Sequence, residues 1–135
     1  MNNVNKLSHI ALLVNNIDDM IEFYNLFAEM EVIHRRIDDG VNVAWVRLGD
    51  SKNLTIVMIE TNNINTSKTQ RVNHFGFDAI SKESVDKISE LAKQKKCLKY
   101  PAQNGGKILG YFCMVEDPNG NNLEFAYGQM RTDEV

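Results

Sequence analysis

The sequence predicts an α+β fold in which a β-α-β-β-β unit occurs twice, and three observations lead there. Two short apolar runs, "SHIALLV" and "NHFGFDA", each open on a histidine, and His74 follows His9 by 65 residues. Each run is followed by a stretch with helical spacing and then by three runs of strand character. Turn signals separate those runs at corresponding places in the two halves.

The elements follow in order. "HIALLV" is β-branched and aliphatic. In "NNIDDMIEFYNLFAEM" Ile17, Met20, Ile21, Tyr24 and Phe27 recur at helical spacing, Asn16 can cap the helix, and Asp18 and Asp19 suit its positive end. "EVIHRRI", "VNVAWVRL" and "NLTIVMIE" read as strands divided by "DDG" and "GDSKN". After the polar linker "TNNINTSKTQ" the order restarts with "VNHFGFDAI" and the helix "SKESVDKISELAKQKK", with Ser81 as cap and Val85, Ile88, Leu91 and Ala92 on one face. Cys97 to Tyr100 suggest a short strand, "PAQNGGK" a loop, "LGYFCMVE" a strand, "DPNG" a turn and "NNLEFAYG" the last strand. The boundaries are module one at 7–60, a linker at 61–70, module two at 71–128 and a tail at 129–135, all within a single domain.

Composition bounds the function. With 135 residues, 43% of them hydrophobic, the chain can bury one full core. No run reaches the roughly 18 apolar residues of a membrane span, and "MNNVNKLSH" lacks the basic and apolar regions of a signal peptide, so a cytoplasmic location is expected. Cys97 and Cys113 form no CxxC pair, which disfavours a disulfide framework or a thiolate zinc site. A net charge of −3 without a long basic run gives no footprint for nucleic acid, and "KQKK" reads as cations at a helix C-terminus.

Strand alternation then sorts the side chains. Ile10, Leu12 and Val14 share one face and His9, Ala11 and Leu13 the other; Phe75 and Phe77 oppose His74, Gly76 and Asp78; Leu123, Phe125 and Tyr127 oppose Glu124 and Ala126. One face is bulky and apolar enough to lie under helices. The other carries two imidazoles and a carboxylate, each followed at i+2 by Ala or Gly, as the lining of a cavity would.

"HIALLVNNIDDMIEFY", "HFGF" and "EDPNGNNLEF", in this order and at these separations, resemble the vicinal oxygen chelate superfamily of glyoxalases, extradiol dioxygenases, fosfomycin-resistance enzymes and bleomycin-binding proteins, over roughly residues 7–128. The resemblance implies paired βαβββ modules forming a cupped mixed β-sheet around a metal, with helices on the outer face, and a homodimer acting on a small-molecule substrate. Carried over by position, its metal ligands fall on His9, His74 and Glu124. Two imidazoles and a carboxylate suit a divalent ion such as Ni, Zn, Mn or Fe, a Lewis acid for a carbonyl or enediolate oxygen pair. Glu124 and Glu60 are the candidate catalytic carboxylates. Glu60 could be a fourth ligand, as in glyoxalase I-like members, or could simply end its strand, and matching "NLT" to "NLE" would put Thr55 in the equivalent position.

Among branches, "NGGKILGYFCMVEDPNGNNLE" is most similar to bacterial glyoxalase I, which implies a lyase or isomerase. Leu13 stands where glyoxalase I-like proteins carry an arginine for glutathione, which speaks against that cosubstrate. Extradiol dioxygenases place a histidine in the loop that here holds Gly105, Gly106 and Lys107, and a tyrosine where Met114 stands. A fosfomycin-type thiol transferase keeps the same triad, although no phosphonate-binding cluster of Lys and Arg is evident, and a metal-free drug-binding protein generally lacks the triad. His34 reads as an edge-strand or rim residue. Trp45 and Arg47 could line the cup, and "QNGGK" could close over a substrate or simply connect strands.

Overall fold

The computed structural model describes residues 9–62 and 74–129. Most of the expected linker and all but its first residue of the expected tail lie outside them. The chain divides into two compact units, Met1–Asn65 and Thr66–Val135.

In the first unit β1 (His9–Val14) leads to α1 (Ile17–Ala28), then β2 (Glu31–Asp38), β3 (Val41–Arg47) and β4 (Thr55–Glu60). The sheet order is β1-β4-β3-β2, with β1 parallel to β4 and the other neighbours antiparallel. Helix α1 begins where the sequence places it, because the Asn16 side chain accepts a hydrogen bond of 3.0 Å from the Asp19 amide. Ile17, Met20 and Tyr24 bury themselves with Val14, Val46 and Met58, each at most 1% exposed. That is the alternation read from the sequence: Val14 is covered, whereas Leu13 remains 59% exposed. Edge strand β2 is exposed along its whole length and carries a register shift between Val32 and His34.

The second unit repeats the plan. Strand β5 (Phe75–Asp78), α2 (Lys82–Gln94), β6 (Leu98–Asn104), α3 (Gly106–Leu109), β7 (Tyr111–Glu116) and β8 (Asn122–Tyr127) follow in order. The sheet order β5-β8-β7-β6, with β5 parallel to β8, matches the first unit strand for strand. The Ser81 hydroxyl accepts from the Ser84 amide at 3.1 Å, and Lys93 lies in the last turn of α2. Val85, Ala92, Cys113, Val115 and Leu123 are wholly buried, so α2 covers the face opposite Glu124.

Segment 97–107 departs from the expectation. The short strand runs on through Pro101 to Asn104, and part of the expected loop is the helical turn α3. Pro101 is compatible with a strand because β6 is an edge, where a missing N–H costs no ladder bond, and the β6–β7 pairing slips on either side of Tyr100. Among the described residues no helix is long and apolar enough to cross a membrane.

Candidate metal centre

The second unit brings two of the three expected ligands together. The DPNG turn sets the register: Asp117, 4% exposed, accepts hydrogen bonds of 2.8 Å from the amides of Asn119 and Asn121 through Oδ1 and from the Asn121 side chain through Oδ2. Glu116 then pairs with Asn122 and Met114 with Glu124, and on the other side Glu124 stands opposite Gly76. Its neighbours Leu123 and Phe125 are 0% and 3% exposed, so alternation turns Glu124 away from α2. Glu124 Oε2 lies 3.6 Å from His74 Nε2, with the carboxylate side chain 10% and the imidazole 40% exposed.

That spacing fits a shared ion. Donors each about 2.1 Å from one metal, at angles between octahedral and tetrahedral, stand roughly 3.0–3.4 Å apart. A small inward adjustment would bring this imidazole and carboxylate onto a divalent cation. Gly76 keeps the carboxylate's surroundings open, since a Cβ there would sit 3.7 Å from Glu124 Oε2. Within each unit, among the described residues, no group of three or more His, Cys, Asp or Glu side chains stands together.

His9 belongs to the first unit, exposed at the start of β1 and paired with Thr55. Two residues beyond each histidine the modules differ: Gly76 faces Glu124, whereas Ala11 faces Val57. Measured by sheet register, the first-unit counterpart of Glu124 is therefore Val57 rather than Thr55 or Glu60. Glu60 pairs with Val14, five register positions along β4 from His9. One of its oxygens accepts from the Ile17 amide and the other from the Asn42 side chain, both at 2.9 Å. The Asn42 hydrogen bond, then the Ile17 amide, holds the Glu60 carboxyl below its ordinary pKa. The carboxylate thus occupies the positive end of α1, a job that a reading of Glu60 as strand end or ligand did not include. Nothing local in the sequence joins this acidic strand end to Asn42 or to the start of α1, 18 and 43 residues away.

His34 and Trp45 pair across β2 and β3 with ring centroids 4.8 Å apart, and the Arg36 guanidinium lies 5.6 Å from the centre of the indole. Trp45 shares a face with His9 through the Ala11–Val57–Trp45 row, and Arg47 shares it through Thr55. Behind Glu124, Cys113 is fully buried, and burial, then the charges of Asp86 and Glu124, pushes its thiol up to about 12.

Known proteins share this fold. A fosfomycin resistance protein variant, FosX from Listeria monocytogenes, solved with Mn(II) and a dihydroxypropylphosphonic acid, superposes with a TM-score of 0.75 at 20% identity, covering 96% of this chain and 97% of that one. The uncharacterized protein PA2024 of Pseudomonas aeruginosa is 34% identical over 124 residues, 91% of this chain and 89% of its own. A lactoylglutathione lyase of Neisseria meningitidis is 24% identical over 136 residues, 96% of each protein. The family model described as Glyoxalase/Bleomycin resistance protein/Dioxygenase superfamily matches residues 6–125. With its twice-repeated β-α-β-β-β order and a family-model match over most of its length, the chain belongs to the glyoxalase/bleomycin resistance protein/dioxygenase superfamily.

Proposed function

We propose that this protein is a metal-dependent, glyoxalase-like lyase or isomerase acting on a small substrate that offers two neighbouring oxygens. His9, His74 and Glu124 are its metal ligands, and the 3.6 Å approach of His74 Nε2 to Glu124 Oε2 carries this reading. A buried carboxylate beside an imidazole, opposite a glycine, is costly to keep unless something uses it. A bound divalent ion would supply Lewis acidity toward the substrate oxygens. The chain's own contribution is to fix the donors: the Asp117 turn holds the register of β8, and Leu123 and Phe125 anchor the strand so that Glu124 keeps its side. Glu124 is also the carboxylate best placed to hold or move a proton at the site. Glu60, with both oxygens already engaged at α1, acts as a cap rather than as a catalytic group or fourth ligand. A homodimer in the cytoplasm is part of the same proposal.

Elemental analysis of untagged protein purified without chelators tests it, beside a His9→Ala/Glu124→Ala variant shown to be folded. About one transition metal per chain in the wild type and none in the variant supports the reading, and metal identity separates iron chemistry from nickel or zinc Lewis acidity. If neither protein holds or takes up metal, the triad is not a metal site and ligand sequestration becomes the better reading.

A further inference from the structure

A cavity of about 350 Å³ lies in the second unit, on the opposite side of its sheet from Glu124. Tyr111 and Tyr127, which line it, are register partners at the ends of β7 and β8. Counting in twos along each strand puts them on the face of Cys113 and Phe125, the one covered by α2, whereas Glu124 and Ala126 take the other. The cavity is therefore separate from the candidate metal centre.

Its chemistry is one-sided. Lys82, the first residue of α2, and Lys107, in α3, both line it, and no acidic side chain does. Among the described residues neither lysine belongs to an ion pair. The Lys82 ammonium lies 5.8 Å from the centre of the Tyr111 ring, whose hydroxyl is already donated to Asp86. Asn104 uses its side-chain oxygen to accept from the Gly106 amide at 2.9 Å, which leaves the NH2 group as a third donor.

The wall is built rather than incidental. Gly105 donates to the Gly110 carbonyl at 2.7 Å, and Gly110 donates to the Gly106 carbonyl at 2.9 Å, closing the α3 loop on itself. Gly110 has φ of 74°, and a Cβ there would fall 2.5 Å from the Tyr127 carbonyl oxygen and 2.8 Å from the Gln129 nitrogen. Only glycine lets the loop lie this close to the end of β8.

From these features we infer that the cavity binds a small anion with a flat apolar body, its charge between Lys82 and Lys107 and its body against Tyr127. Aryl phosphates and aryl carboxylates share that chemistry. Two ammoniums and an amide donor match an anionic head, and exposed tyrosine surface gives the body a reason to stay.

The test is a titration of the full chain with phenyl phosphate, benzoate and inorganic phosphate, read by amide NMR shifts and repeated on a Lys82→Ala/Lys107→Ala variant. Both lysines are exposed, so the variant should fold. Expected are saturable shifts at Gly106, Gly110 and Gly128 with at least one aryl anion, weakened at least about tenfold in the variant. Inorganic phosphate should bind more weakly than phenyl phosphate. Absence of saturable shifts there with either aryl anion, or equal binding by the variant, overturns the site. Equal binding of inorganic and phenyl phosphate overturns the role given to the tyrosine wall.

Discussion

Replacing Glu60 separates a helix cap from a metal ligand. In the native unit Glu60 takes the Ile17 amide on one oxygen and the Asn42 side chain on the other, both at 2.9 Å. Hydrogen bonds to a charged acceptor contribute about 1.5 kcal/mol each at the low end of their range. Partial exposure and screening reduce the two together to about 2 kcal/mol for Glu60→Ala, or about 6 °C in Tm for a domain of this size. Glu60→Gln should cost less, about 1 kcal/mol, because the amide can still accept from Ile17 and donate to a flipped Asn42, losing only the charge at the helix start. The pH dependence follows from the lowered carboxyl pKa. A depressed carboxylate stabilises the fold above its unfolded pKa, and that contribution is lost as pH falls through the folded pKa. The wild-type advantage over Glu60→Gln is therefore full at neutral pH and fades below the ordinary value of 4.5. Thermal melts from neutral to acid pH, with metal content measured on the same samples, check it. Metal loss with unchanged Tm would refute the cap and restore the ligand.

Three further predictions rest on separate contacts. Gly76→Ala should retain metal, because the new Cβ meets Glu124 Oε2 only at 3.7 Å, whereas Gly76→Val should displace the carboxylate and reduce metal retention, read by elemental analysis. Ser81→Ala removes the acceptor for the Ser84 amide and should lower stability by about 1 kcal/mol in denaturant melts. Cys113, with its thiol pushed up to about 12 and no exposed surface, should resist alkylation at neutral pH until the protein unfolds, a point that mass spectrometry after timed iodoacetamide treatment decides.

The fold was legible where one physical preference acted alone. Asn16 and Ser81 marked the starts of α1 and α2 because short polar side chains serve unpaired amides there. Period-two alternation sent Leu123 and Phe125 inward and Glu124 to the other face, next to His74. The extension of β6 through Pro101 was hidden because proline signals a break unless the strand is known to be an edge, which only the sheet order reveals. The task of Glu60 was hidden for a related reason. Its donors, Ile17 and Asn42, lie 43 and 18 residues away, and no local pattern carries that pairing.

The unequal filling of one register slot in the two halves has a consequence for how such a duplicated chain can change. Both copies keep the same strand order, yet the slot that holds Glu124 in one holds Val57 in the other. The half with the valine carries no desolvated carboxylate at that slot, so substitution at Val57 itself is limited by packing alone. The other half must satisfy packing and chemistry together. Drift in sequence should accumulate unevenly, freely at Val57 and sparingly at Glu124, and Val57→Glu is the single step by which the first half could acquire a carboxylate in the same slot as its twin.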